Sequence, residues 1–411
     1  MESARTANVL PDVATIPVLL KLHGDLKAPQ QWLLRSYIKH LPAGSLHVAY
    51  HVNEPQSASQ QLAVSMLEGS GVHVCTFTTK AVETVFKAFF SKARKRADEL
   101  GWKTFYVPNN YPDWPNLHSM VLPTVVNWWR QLGDRRLQFK HVWVVEGDAL
   151  FVGSGVAGFF ESFRSDQRDL LSTGFHLAGP GWWAYPLQTF GRTLTARRSN
   201  LTRFGLELGK GRPPAWAANW RARESGLLFR LTPVERYSSR LLAFAEDSLL
   251  RRGEGMHSEA FASSLCADAS SWCTLGDWAN SPTGQSNSFR SKFYSPFRGM
   301  DPADVVYARW CSDVCQRRCC DRTWIHPAMM LKAYPRPSNP GSAPSSGHVA
   351  RVRAAHARLW AMYGQIPWGA DANSTDALCS QCQHVPNKTW ATREATSSLA
   401  RPRARQRRRR P

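Results

Sequence analysis

Acidic side chains are scarce in this sequence: 31 Asp and Glu stand against 52 Lys and Arg over 411 residues, for a formal net charge of +21. That balance excludes an acidic, self-solvating chain and points to anionic partners such as a nucleotide, a phosphate, an acidic polymer or a membrane surface. A third of the excess is local, since seven arginines fall within residues 401–410; the rest of the chain is basic too. Long apolar runs are missing as well. No stretch approaches the ~18 consecutive apolar residues of a membrane helix, and Met1-Glu2-Ser3-Ala4-Arg5-Thr6 lacks the basic-then-apolar order of a secretory leader. The first strand-helix turn carries neither GxGxxG nor GxxxxGK followed by Ser or Thr, which removes support for a dinucleotide fold or a P-loop. Disorder is excluded by a hydrophobic content of 43%, enough for one large α/β domain with extensions.

Nine cysteines are present, most of them late: Cys75, Cys266, Cys273, Cys311, Cys315, Cys319, Cys320, Cys379 and Cys382. Their spacings match no complete zinc motif, so they read as structural thiols or disulfides. Three Asn-x-Ser/Thr triplets, at Asn200, Asn373 and Asn387, join them in favouring a secretory-pathway or Golgi lumen; with no leader at the start, the cytoplasm is the alternative.

Strand and helix patterns alternate from the start. Residues 16–22 read as a strand, 29–41 as a helix, 46–52 as a strand, 57–67 as a helix capped by Ser57, 71–77 as a strand and 80–100 as a charged helix. A loop rich in Pro, Asn and aromatics follows, then an aromatic helix over 117–132 and an apolar run over 141–153. Further on, 169–175 and 227–231 read as strands, and Thr232-Pro233-Val234-Glu235 reads as the start of a helix reaching about Arg252. Such alternation predicts a three-layer α/β/α domain with a mostly parallel sheet over 14–335. Residues 1–13 form a tail, 336–347 a Pro/Ser/Gly linker, and 348–411 a C-terminal extension ending in the Arg-rich segment.

The run over 141–153 is interrupted by one acid pair, Glu146 and Asp148, with Gly147 between them. On a strand, residues two apart project to one side, so the two carboxylates converge on a point next to apolar surface. Burying like charges there is costly unless something compensates them. A divalent cation does so, and Mn2+ or Mg2+ is commonly held by one or two carboxylates together with a substrate's phosphates. Ligands of parallel sheets bind at the carboxyl ends of the strands, which brings His23 and Asp25 toward Glu146 and Asp148.

This order, alternating strands and helices leading to an aromatic-rich helix and an apolar strand that ends in an acid-x-acid pair, resembles the nucleotide-sugar glycosyltransferases of the GT-A fold. The resemblance implies that Asp148 and Glu146 hold Mn2+ or Mg2+ on the donor diphosphate, with Glu146 departing from the usual Asp at the first position. It implies a late carboxylate as base toward the acceptor hydroxyl, for which Glu259 is the first candidate and Asp247 the second. It also implies a C-terminal histidine returning to the metal, a place His326 fits. His23, Asp25, Trp182 and Trp183 are candidates for holding the nucleotide sugar; the two tryptophans either stack on sugar or pack their own loop. The expected partners are a nucleotide-sugar donor, a glycan or protein acceptor, and an anionic partner for the Arg-rich segment. Two other classes remain open. One is a metal-dependent hydrolase using His23, Asp25, Asp148, His257 and His326; the other is a nucleic-acid-binding protein resting on charge, without a recognisable module.

Overall fold

The computed structural model describes residues 16–26, 28–52, 54–99, 121–147, 149–152, 156–180, 188–190, 194, 196–202, 204, 206, 224–279, 290–293 and 323–326. The chain opens with β1 (Val18–His23), α1 (Ala28–His40), β2 (Leu46–His51), α2 (Ala58–Gly69) and β3 (His73–Phe77). The start of α2 is fixed by a reciprocal cap: the Ser57 hydroxyl accepts from Gln60 N at 3.2 Å, and Gln60 Oε1 accepts from Ser57 N at 3.3 Å. Residues 80–100, expected as one helix, form two, α3 (Thr79–Val85) and α4 (Lys87–Glu99), separated at Phe86. The Phe86 ring is buried in the same core as Phe89 and Phe90. Then come α5 (Val121–Gln131) and β4 (His141–Glu146), every residue of which is buried.

Beyond β4 lie β5 (Leu150–Val152), α6 (Val156–Glu161), β6 (Leu170–Ala178), β7 (Ala196–Arg197), α7 (Arg198–Thr202), β8 (Ser225–Ser238), α8 (Ser239–Asp247), α9 (Ser258–Asp268) and β9 (Leu275–Asp277). The main sheet runs β3-β2-β1-β4-β8-β6-β9, with β7 on β8. The β3-β2, β2-β1, β1-β4 and β6-β9 pairs are parallel, and β8 runs against both β4 and β6. The helix expected from Thr232 is therefore corrected: 232–238 belong to β8, and helix begins at Ser239 with Ser238 as its cap, its side chain accepting from Leu241 N at 3.1 Å. Pro233 is tolerated because both ladders are interrupted beside it. On β6 the register jumps between Leu171 and Thr173, and on β4 the last paired residue is Val145, opposite Val234.

Consecutive residues of the central strands feed two separate cores. Leu19, Val142 and Val144 face α4, α5, α8 and α9, whereas Val18, Leu20, Trp143 and Val145 face α1, α2 and α6. Helices thus cover both faces, which makes the domain the expected three-layer α/β/α arrangement. The second core is tied by Trp143, whose ring centroid lies 5.0, 5.3 and 5.7 Å from those of Phe159, Phe160 and Phe163. Each such pair adds about 0.5–1.5 kcal/mol beyond the area it buries.

The apolar run over 141–153 is divided between two sheets. Ala149 N donates to Glu146 O at 3.0 Å, turning the chain out of β4. The next strand, β5, joins a small sheet with β11 (Thr323–His326) and β10 (Arg290–Phe293) in the order β10-β11-β5.

Candidate active site

From β1 the chain moves outward through β2 and β3, then returns to the other side of β1 as β4. In open α/β sheets the crevice at such a reversal is where ligands bind, outside the carboxyl ends of the strands. Here those ends carry Lys21, His23 and Asp25 on β1 and the turn after it, and Glu146 on β4. Lys21 and Glu146 are direct register partners. Their side chains form an ion pair, Nζ to Oε1 at 3.3 Å, with exposures of only 12% and 9%. Period-two alternation places both on the sheet face covered by α9.

The surrounding structure braces these ends. Tyr37 of α1 donates its hydroxyl to Ala149 O at 3.1 Å, holding the turn that follows Glu146. Tyr50 of β2 donates to Gly24 O at 2.7 Å, and burial, with Asp25 nearby, pushes its phenol up to about 12, so it remains a donor. Asp25 is exposed and accepts from the Ser57 hydroxyl at 2.7 Å, which links the turn after β1 to the cap of α2.

Two helix N-termini meet near the same strand ends, since Leu122 N, at the start of α5, donates to Ser258 Oγ of α9 at 3.4 Å. His257 caps α9 by accepting from Glu259 N at Nδ1, 3.4 Å away. Burial and then the charge of Arg230 depress the His257 pKa to about 3, so the ring is neutral. Its 3.6 Å approach to Glu259 Oε2 is consequently not an ion pair. Glu259 keeps a third of its side chain exposed. Asp247 differs: it is the last residue of α8, and both its oxygens are occupied by Arg251 and Arg252.

His326 closes β11, which runs antiparallel to β5 with Ile325 opposite Leu150. The topology therefore brings β11, which ends at His326, beside the strand that follows Glu146, although the two are far apart in sequence. Asp148, Trp182 and Trp183 lie outside the described residues, as do the cysteines from Cys311 on and the Arg-rich segment. Among the described residues, no three His, Cys, Asp or Glu side chains cluster as a metal site. Cys266 of α9 and Cys273 of the connection before β9 form a disulfide, and the buried thiol of Cys75 is pushed up to about 12 by burial.

Lys21, Arg230, Glu235 and Tyr237 were missed by sequence reasoning. Lys21 did leave a signal, as a single charge inside an apolar strand. Glu235 and Tyr237 were hidden by the helix reading of 232–252.

No family model matches this chain, and no curated protein matches it. Among solved structures it is similar to mouse xyloside xylosyltransferase 1 in its apo form, at 11% identity and a TM-score of 0.36, over 76% of this chain and 97% of that one. It is also similar to the mannosyltransferase Ktr4p from S. cerevisiae in complex with GDP, at 9% identity and a TM-score of 0.33, over 62% and 66% of the two chains. A third similar structure is the mannosyltransferase PcManGT from Pyrobaculum calidifontis with GDP-Man and Mn2+, at 11% identity and a TM-score of 0.32, over 91% and 82%. At such TM-scores the likeness is no ground for an activity, which has to rest on the chain's own residues.

Proposed function

We propose that this chain is a glycosyltransferase that moves a sugar from a nucleotide-sugar donor to a hydroxyl of a glycan or protein acceptor. The observation that carries the reading is the convergence at the β1/β4 reversal. There Lys21 and Glu146 pair at the strand ends, and β5, the strand that follows Glu146, pairs with β11, which ends at His326. A switch point with oxygen donors and an imidazole suits a diphosphate held through a hard cation.

In this reading the donor lies across the strand ends, His23 and Asp25 serve the nucleotide, and Trp182 and Trp183 are assigned to the sugar. Carboxylate donors fit Mn2+ or Mg2+, but Glu146 already has a cationic partner in Lys21, so Asp148 takes the main ligand role, with Glu146 and His326 beside it. When bound, the cation supplies charge neutralisation for the departing diphosphate. Glu259 accepts the proton of the acceptor hydroxyl while the oxygen forms its bond to the anomeric carbon. The bond from that carbon to the phosphate oxygen breaks, its electron pair leaves with the nucleoside diphosphate, and the anomeric centre inverts. A neutral His257 sets no competing imidazolium against the Glu259 carboxylate. The Cys266–Cys273 disulfide and the three glycosylation triplets favour a secretory-pathway or Golgi lumen.

Thermal unfolding with a panel of UDP- and GDP-sugars, with and without Mn2+, tests the reading. The expected result is stabilisation by one nucleotide family only when Mn2+ is present, lost in Asp148→Ala without a change in the unliganded midpoint. No stabilisation by any nucleotide would overturn it.

A further inference from the structure

Among the fully buried polar side chains of β8 that the proposed transfer does not use, Arg230, Glu235 and Tyr237 are bonded to one another. Their bonds form one network. Arg230 Nε donates to Glu235 Oε1, and Arg230 Nη2 donates to the Tyr237 hydroxyl at 2.8 Å. Tyr237 in turn donates to Glu235 Oε2, and Ser172 Oγ of β6 donates to Glu235 Oε1 at 3.2 Å. The last guanidinium nitrogen, Nη1, reaches out of the sheet to Ser258 O at 3.0 Å and Ser263 Oγ at 3.3 Å, both on α9. Ser258 is the first residue of α9, and Glu259 follows it.

A buried ion pair is weak ground for stability, because replacing both partners by apolar residues is often neutral. What it supplies instead is direction: a planar fork with donors on fixed axes sets one element against another. Glu235 sits opposite Val144 in the β4–β8 ladder, on the same face as Glu146, and Lys21 is near enough to act on its charge. The network therefore spans from the strand ends at the switch point to the first turn of α9.

We infer that Arg230 is a positioning residue for sugar transfer: it fixes the first turn of α9, and with it the Glu259 carboxylate, against the strand ends that carry Lys21 and Glu146. The inference rests on the glycosyltransferase reading. Arg230 also acts through charge, since it joins burial in keeping His257 neutral and so preserves the Nδ1 acceptor that caps α9.

Two variants separate positioning from simple stability. Arg230→Met with Glu235→Met removes both charges together, and Arg230→Lys keeps the charge on a single ammonium that cannot serve Glu235, Tyr237 and Ser258 at once. The measurements are amide hydrogen exchange at Ala260 and Phe261, whose N–H groups bond His257 O, together with UDP and GDP affinity in Mn2+ and steady-state transfer. In both variants exchange at these two amides is expected to rise at least about tenfold while β4 stays protected. Nucleotide affinity should hold within about threefold, and kcat should fall about 30- to 100-fold with little change in KM, the cost of a misplaced catalytic group. Unchanged exchange, or faster exchange with kcat near wild type, overturns the inference; if the double variant does not fold, Arg230→Lys decides by the same two results. A wild-type protein that binds no nucleotide and transfers no sugar overturns the reading beneath it, and that outcome is visible before any substitution is made.

Discussion

Gly147 lies so close to Lys21 that a Cβ on it would stand 2.5 Å from the Lys21 carbonyl oxygen and 2.8 Å from Leu22 Cδ2. One of those neighbours is backbone of a central strand and cannot rotate aside. The glycine between the two acids is thus required by the approach of β1 to the turn. Gly147→Ala should destabilise the fold by about 1–3 kcal/mol, the usual cost of overpacking. It should also weaken nucleotide binding beyond that loss, because relief of the clash moves the turn that carries Asp148. Urea unfolding and calorimetric titration of UDP or GDP with Mn2+ read the two effects, and wild-type values in both would mean that the turn moves aside at no cost.

Glu259 and Asp247 occupy opposite situations, and their amides should behave accordingly. Glu259→Gln keeps shape but cannot take a proton, so transfer should fall at least ~100-fold while donor affinity is nearly preserved. Asp247→Asn loosens partly exposed pairs with Arg251 and Arg252, which are worth at most about 1 kcal/mol, and should leave kcat unchanged. Steady-state kinetics of the two variants side by side tests the assignment. Loss of transfer in Asp247→Asn with activity retained in Glu259→Gln would exchange the roles.

Acid should unfold this protein through its histidines. Burial first, and then nearby positive charge, holds His47 and His257 at about 3 and His141 at about 4, so all three rings are neutral in the fold. In the unfolded chain each takes a proton near its ordinary value of about 6.5. The unfolded state then binds protons that the fold excludes, so this stability is complete above about pH 6.5 and is lost as pH falls toward about 4 for His141 and about 3 for His47 and His257. Each ring contributes up to about 1.4 kcal/mol per pH unit inside that window, or roughly 4 kcal/mol per unit together. Urea midpoints measured from about pH 7.5 to about pH 4.5 should decline steeply. A flat profile would show that the rings accept protons without leaving the fold.

The first half of the domain was legible in the sequence because its signals are local. Ser57 and Gln60 mark a helix start by themselves, and the Leu and Val runs of β1, β2 and β4 are long enough to declare strands buried on both faces. β8 was misread because Thr232-Pro233-Val234-Glu235 satisfies the local rules for a helix start. What overrides those rules is the ladder with β4, which is not visible within a few residues. The site divides in the same way. Glu146 stood out as an acid closing an apolar strand, whereas its partner Lys21 lies 125 residues away. His326 was a candidate by resemblance alone, and only the β5–β11 pairing sets its strand beside the one that follows Glu146.

The one long strand that opposes its neighbours also sets when the site comes into being. β4 pairs on one side with β1, Val18 opposite Trp143, and on the other with β8, Val142 opposite Tyr237, so the middle of the sheet joins three segments remote in sequence. Closing such long loops costs entropy before any contact repays it, which delays the centre of the sheet relative to the flanking helices. A nascent chain that has not yet supplied β8 presents β4 as an open edge whose six residues are all buried in the finished fold. Such an edge is a template for pairing with other chains. Because Lys21, Glu146 and the first turn of α9 all sit along that seam, no early-folding fragment can bring them together, and their assembly marks the completion of folding.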